Sequence, residues 1–269
     1  MLIDEISVLV TGARSGLGRA LCERFRATAM TRENADEIFS QDTKYDLVIH
    51  CAHSRAKDVD TDSLDDYASD SFDLTSKVLR LCEQKFVLIS SVSVYPLEGH
   101  SLREDEPIKL DDVPEFYGIA KLLSERHVVN WAHRTGGKFL ILRLSSTLGP
   151  YSPGNVTKRI LTGATHSVPL SGASRFNYIC HDEIGDFMEV ALNRSAEGFF
   201  NLAAADTVTL KDVACLAGRN IEFGPINYQA PIVSIERACG LLPAWRKTSV
   251  ERIRDAIAVR ERETGSSRL

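Results

Sequence analysis

Tyr117 and Lys121 stand four residues apart in the run YGIAK, a spacing that puts both side chains on one face of a helix. A phenol is a poor acid or base at neutral pH, because its unperturbed pKa is about 10. A neighbouring ammonium stabilises the phenolate, so this pair could exchange a proton with a bound oxygen. The same lysine is long enough to reach the ribose of a nicotinamide cofactor. Upstream, LISSVSVYP over 88–96 is an apolar strand that breaks into serines, Ser91 and Ser93 among them. Their hydroxyls can hydrogen-bond a substrate oxygen, since the ligand crevice of an open parallel sheet lies beyond the carboxyl ends of its strands.

A second constellation opens the chain. TGARSGLG over 11–18 lies between an apolar run and a helical pattern. Gly12, Gly16 and Gly18 would permit a tight turn, close approach of backbone to a pyrophosphate, and close helix–strand packing. Ser15 and Leu17 sit among them, where the helix start offers N–H groups to phosphates. Arg14 lies inside this loop and Arg32 at the end of the second strand, where a site selective for NAD usually has an acid. Two guanidinium groups favour a 2′-phosphate, so NADP is expected over NAD. Glu33 follows Arg32 directly and acts the other way.

These groups need elements to hold them. Strands are expected at 6–11, 27–32, 45–52, 85–91 and 138–144, with helices at 17–25, about 64–83 and about 117–133. Such alternation means a parallel sheet with right-handed crossovers. After Gly149-Pro150 the texture changes to PYSPGN, a short helix-like piece and SGASRFN. The expected fold is α/β, a Rossmann-type doubly wound parallel sheet with a small C-terminal substrate lobe. Residues 1–150 would form the dinucleotide-binding core, and 151–269 a lobe interleaved with its last elements.

With 269 residues the chain can bury one large core. A net charge of -5 with scattered cations argues against nucleic acid or a membrane surface as partner. No apolar run approaches the roughly 18 residues that a membrane span needs. The six cysteines form no CxxC pair and read as small buried hydrophobes of a reducing compartment, with the cytoplasm as the default. His50, Cys51 and His53 cluster at a strand end, but alternating side-chain directions separate neighbours, and no metal is expected. His127 and His133 fall on the long helix as surface or core residues, and Trp131 and Trp245 are expected to pack. The acid-rich run 58–66 reads as a solvated loop and helix start.

In order and spacing, TGARSGLG, YDLVIHCA, LISSVSVYP, the YxxxK of Tyr117–Lys121, LRLSSTLGP, RFNYICHDEIGD and GFFNLAAADTVTLKDVA resemble the short-chain dehydrogenase/reductase superfamily. The resemblance spans nearly the whole chain and is closest to the extended branch, similar to NAD-dependent epimerases and dehydratases. It implies that Ser91, four residues before Tyr95, is the catalytic hydroxyl, with Tyr117 as general acid/base and Lys121 as its electrostatic partner and ribose ligand. Leu144, Ser146 and Thr147 would approach the nicotinamide, and Cys51, Ala52 and His53 would line its other flank. Arg175 resembles an arginine that grips the diphosphate of a nucleotide sugar. Five features depart from the branch: the TGxxxGxG loop of its shorter cousins, the brief segment 32–45, the brief C-terminal lobe, Asp70 in place of an asparagine, and a register of RFNYICHDE one residue off the commonest form.

The activity implied is NAD(P)-dependent reduction of the carbonyl of a keto-sugar, with a sugar or nucleotide-sugar as partner and a homodimer as an allowed assembly. Dehydration needs an acid/base pair beside the active serine, and Val92-Ser93 does not supply it. A nucleotide-sugar epimerase that retains NAD would use the same parts. A non-catalytic dinucleotide-binding regulator is the alternative from another class, and would be expected to lack the tyrosine or the lysine.

Overall fold

The computed structural model describes residues 6–53, 67, 69–97, 100–152 and 154–266. In chain order the first half runs β1 (Val8–Thr11), α1 (Gly16–Arg24), β2 (Thr28–Met30), α2 (Ala35–Ser40), β3 (Tyr45–His50), α3 (Leu74–Leu79) and β4 (Cys82–Ser91). Next come α4 (Phe116–Thr135), β5 (Lys138–Leu144), β6 (Ser146–Leu148), α5 (Val156–Thr162), β7 (Ser167–Leu170), β8 (Arg175–Phe176) and β9 (Tyr178–Cys180). The chain closes with α6 (His181–Asn193), β10 (Gly198–Leu202), β11 (Val208–Thr209), α7 (Leu210–Leu216), β12 (Glu222–Ile226), α8 (Glu236–Leu241) and α9 (Ser249–Ser266).

Six strands form one parallel sheet in the order β10-β5-β4-β3-β1-β2. Its strands read as unbroken apolar runs because both faces are covered. Val8, Val10, Leu47, Ile49, Val87 and Ile89 point to one side, where Leu21 of α1 and Ile184, Phe187 and Met188 of α6 meet them. Leu9, Val48, Phe86 and Leu88 point to the other, under Val78 of α3 and Val128 of α4. Trp245 is buried in the first core and Trp131 packs against the second.

The brief segment after β2 has room only for α2, so β2 is left at the sheet edge and the chain crosses directly to β3 on the other side of β1. The strand order therefore reverses at β1, and a crevice opens beyond the carboxyl ends of β1 and β3. The expected helix over 64–83 is shorter: among the described residues a π-helical turn at Ser69–Asp73 leads into α3, and β4 already begins at Cys82. Cys82 pairs with Tyr45 before a register shift, which extends the strand three residues upstream of the expected start. The run 58–66 lies outside the described residues.

Beyond Gly149 the chain divides its elements between two places. α6 and β10 return to the large sheet, while β7, β12, α5, α7 and α9 enclose a separate core of Ile160, Val168, Leu210, Val213 and Ile253. No helix among the described residues is long and apolar enough to cross a membrane.

Candidate active site

The glycine-rich turn leaves β1 at Gly12, whose φ of +70° is left-handed. A Cβ there would also stand 2.9 Å from the Ala52 amide nitrogen, so glycine lets the loop touch the end of β3. At Gly18 a Cβ would come within 2.4 Å of the Gly12 carbonyl oxygen, which is why α1 can pack so near the turn. The Gly16 N–H donates to the Tyr151 carbonyl at 2.7 Å, so the segment after β6 lies over the start of α1.

A buried chain of hydrogen bonds ties β1 to β3 at the same place. The Thr75 hydroxyl donates to the Ser71 carbonyl at 2.8 Å, so it accepts from His50 Nε2 at 3.0 Å. His50 Nδ1 then accepts from the Thr11 hydroxyl at 2.7 Å, whose oxygen in turn accepts from the Cys51 and Ala52 amides at 3.2 and 3.1 Å. Burial pushes the His50 imidazole down to about 3, so it is neutral and serves to hold the strand ends. Burial also drives the Cys51 thiol up to about 12.

On the opposite wall α4 brings Tyr117 and Lys121 to the end of β4. Lys121 Nζ donates to the Ile89 carbonyl at 2.8 Å and lies 5.9 Å from the centre of the Tyr117 ring. Burial pulls this ammonium down to about 8 and pushes the Tyr117 phenol up to about 12, with the nearby Ser91 hydroxyl opposing the latter shift. The Ser91 oxygen already accepts from the Ser93 N–H at 3.1 Å. Its O–H and second lone pair remain to bond a ligand in the cleft that Ser91 lines with Tyr117. The His53 and Tyr117 rings stand 5.6 Å apart and narrow the opening.

These walls enclose a cleft of about 1040 Å³. Gly12, Ser15, Gly16, Leu17 and Gly18 line one side, Cys51, Ala52 and His53 the next, and Ser91, Tyr117, Lys121, Leu144 and Thr147 the far end. Arg14, Arg32, Ser93, Ser146 and Arg175 are not part of that lining. Arg14 is exposed and pairs with Glu33 at 2.5 Å. Arg32 is exposed at the end of β2, and Ser93 turns its N–H to Ser91. Ser146 is held in the β6–β9 ladder, while Arg175 is exposed and donates to the Thr207 hydroxyl at 3.1 Å.

Ser145 and His181, which lie within LRLSSTLGP and RFNYICHDEIGD, also line the cleft, as do Glu115, Phe116, Asn155 and Tyr228, which no pattern in the sequence marked. The buried Ser145 Oγ and His181 Nδ1 have no hydrogen-bond partner among the described residues. Unmet polar atoms on such a wall suit a polar ligand. Together with the glycine cradle and the start of α1, they fit an extended dinucleotide.

The description "NAD dependent epimerase/dehydratase family" belongs to the family model that matches residues 25–203. Among curated proteins the chain is 27% identical over 234 residues to dTDP-4-dehydro-6-deoxyglucose reductase of Escherichia coli, covering 76% of this chain and 70% of that protein. The structure of MoeE5 in complex with UDP-glucose and NAD superposes with a TM-score of 0.82 at 18% identity, over 98% of this chain and 100% of that one. A UDP-galactose 4-epimerase structure gives 0.74 at 19% identity, over 96% and 99%. UDP-glucuronic acid 4-epimerase from Bacillus cereus in complex with NAD gives 0.73 at 18%, over 94% and 98%.

Proposed function

The chain belongs to the NAD-dependent epimerase/dehydratase family, and from that premise we propose that it reduces the carbonyl of a nucleotide-linked keto-sugar. The observation that carries this reading is the convergence of Tyr117, Ser91 and Lys121 on one end of a cleft with a glycine-rich cradle. The likeness to a dTDP-keto-sugar reductase supports the direction of the reaction.

A bound dinucleotide supplies the hydride. Gly12, Leu17 and Gly18 would hold its phosphates close to the backbone, and Thr147 and Leu144 would flank its reactive end. Ser91 donates a hydrogen bond that orients the substrate carbonyl and strengthens as negative charge gathers on the oxygen. Tyr117, protonated at neutral pH, gives its proton to that oxygen. Lys121 stabilises the phenolate left behind. Arg175 is left out of this scheme, because it is not among the residues that line the cleft.

The ribose end of the cofactor favours NADH. Glu33 is paired with Arg14, so a 2′-phosphate would have to displace a carboxylate and then sit beside it, whereas a ribose hydroxyl can donate to the same carboxylate. This reading departs from the expectation of NADP drawn from Arg14 and Arg32 alone.

The test is a cofactor balance with dTDP- and UDP-linked 4-keto-sugars. The expected result is one NADH oxidised for each keto-sugar reduced. A dinucleotide that stays bound while the sugar changes only its stereochemistry would replace reduction by epimerisation. No turnover across the panel, with NADH still bound, would leave a binding protein.

A further inference from the structure

One residue below the Ser91 hydroxyl, the sheet carries a row of buried polar side chains that the scheme above does not use. Ser90 of β4, Arg143 of β5 and Asn201 of β10 are register partners across three parallel strands. Helix α4 lays Glu125 on this row. Its carboxylate accepts from the Ser90 hydroxyl at 2.6 Å and from Arg143 Nε and Nη2 at 3.0 and 2.8 Å. Arg143 Nη1 donates to the Tyr95 hydroxyl at 2.6 Å, which donates to Asn201 Oδ1 at 2.9 Å. Glu125 is 1% exposed and Arg143 4%, so the ion pair is fully withdrawn from water.

Stability alone does not call for such a pair. Well-packed apolar side chains of similar volume often serve as well or better, because two charges must be stripped of water. What sets this pair apart is its neighbours. Glu125 lies one helical turn beyond Lys121 and two beyond Tyr117, Ser90 adjoins Ser91, and Arg143 adjoins Leu144 of the cleft wall. One carboxylate thus touches the elements that carry every group of the proton-transfer centre.

We propose that Glu125 is a positioning residue for that centre: clamped by Arg143 and Ser90, it locks the helix carrying Tyr117 and Lys121 to the strand carrying Ser91, and balances the Arg143 charge beside Lys121. The proposal rests on the reading of Tyr117 and Lys121 as the proton-transfer pair. The groups facing Lys121 are His50 and Cys51 at the end of β3, and Tyr117 and Glu125 on its own helix, with Arg143 behind Glu125. Of these, Cys51 and Glu125 both favour the charged ammonium against the pull of burial. With a neutral side chain in its place, Arg143 becomes an uncompensated cation and the ammonium is disfavoured.

The experiment follows Lys121 itself in the full-length protein, by carbon NMR of lysine labelled at Cε, with the signal assigned from Lys121→Met. Glu125→Gln is expected to lower the Lys121 titration midpoint by about half a pH unit or more. In Glu125→Gln/Arg143→Met, where both charges are gone, the midpoint should return toward the parental value. This double variant also serves if Glu125→Gln alone fails to fold, because its midpoint must then lie near the parental one in a folded protein. A midpoint in Glu125→Gln that is unchanged or raised, with only thermal stability reduced, overturns the proposal. Failure of the underlying reading would appear elsewhere, as parental turnover of a keto-sugar by Tyr117→Phe.

Discussion

Lys121 is the residue on which the proposed chemistry is most sensitive to solution conditions. Its ammonium, lowered to about 8 by burial, keeps its proton at neutral pH and loses it as the pH rises through that value. Tyr117, at about 12, stays protonated over the same interval and remains able to donate. The kcat profile is therefore expected to fall on its alkaline side with a midpoint near 8, and a profile flat through that range would contradict the role given to Lys121. Tyr117→Phe keeps the ring but removes the proton, so kcat should fall by roughly 10²-fold or more while the fold survives. At the ribose end, Glu33→Gln should free Arg14 and shift the affinity ratio from NADH toward NADPH. Fluorescence titration of both dinucleotides reads this, and an unchanged ratio would remove Glu33 from the argument.

At the scale of elements, the glycine-rich turn and α1 work as one piece. Gly18→Ala would press a methyl group into the Gly12 carbonyl, with backbone on both sides and no flexible end to yield. The expected cost is roughly 1–3 kcal/mol in urea unfolding, with dinucleotide affinity weakened as the turn is pushed open. A variant as stable as the parent and binding equally well would show that α1 can shift. β10 was not among the expected strands, but the turn, the other five of the six strands of the sheet and the long helix α4 were legible in the sequence, because each rests on local spacing: glycines at a strand end, apolar runs, and an i, i+4 pair. Element ends were less so. The start of β4 depends on Cys82 pairing with Tyr45 across a register shift, which no window of its own sequence encodes.

Across the whole molecule, Arg252 joins the smaller core to the sheet. It is fully buried on α9 and donates to Glu183 of α6 at 2.7 Å and to the Lys247 and Trp245 carbonyls at 2.7 and 3.0 Å. Arg252→Met would leave two carbonyls and a partly buried carboxylate without their donor. A loss of about 2–4 kcal/mol is expected in denaturant unfolding. A change within error would mean that water takes over these contacts.

The sequence by itself determined five of the six strands of the sheet, its glycine-rich turn and the Tyr117–Lys121 pair, since period and spacing along one segment are enough to specify them. Only the tertiary structure decided which distant groups share the cleft. Tyr228 reaches it from a segment without a motif, while Arg175, singled out by its neighbours in sequence, is not among the residues that line it. The pairing of Arg14 with Glu33 was also out of reach, because it brings a loop against the end of another strand. The same holds for Glu125 and Arg143, whose partnership depends on α4 crossing β4 and β5 at one register. Contacts of that kind arise from packing between elements, and no local pattern records them.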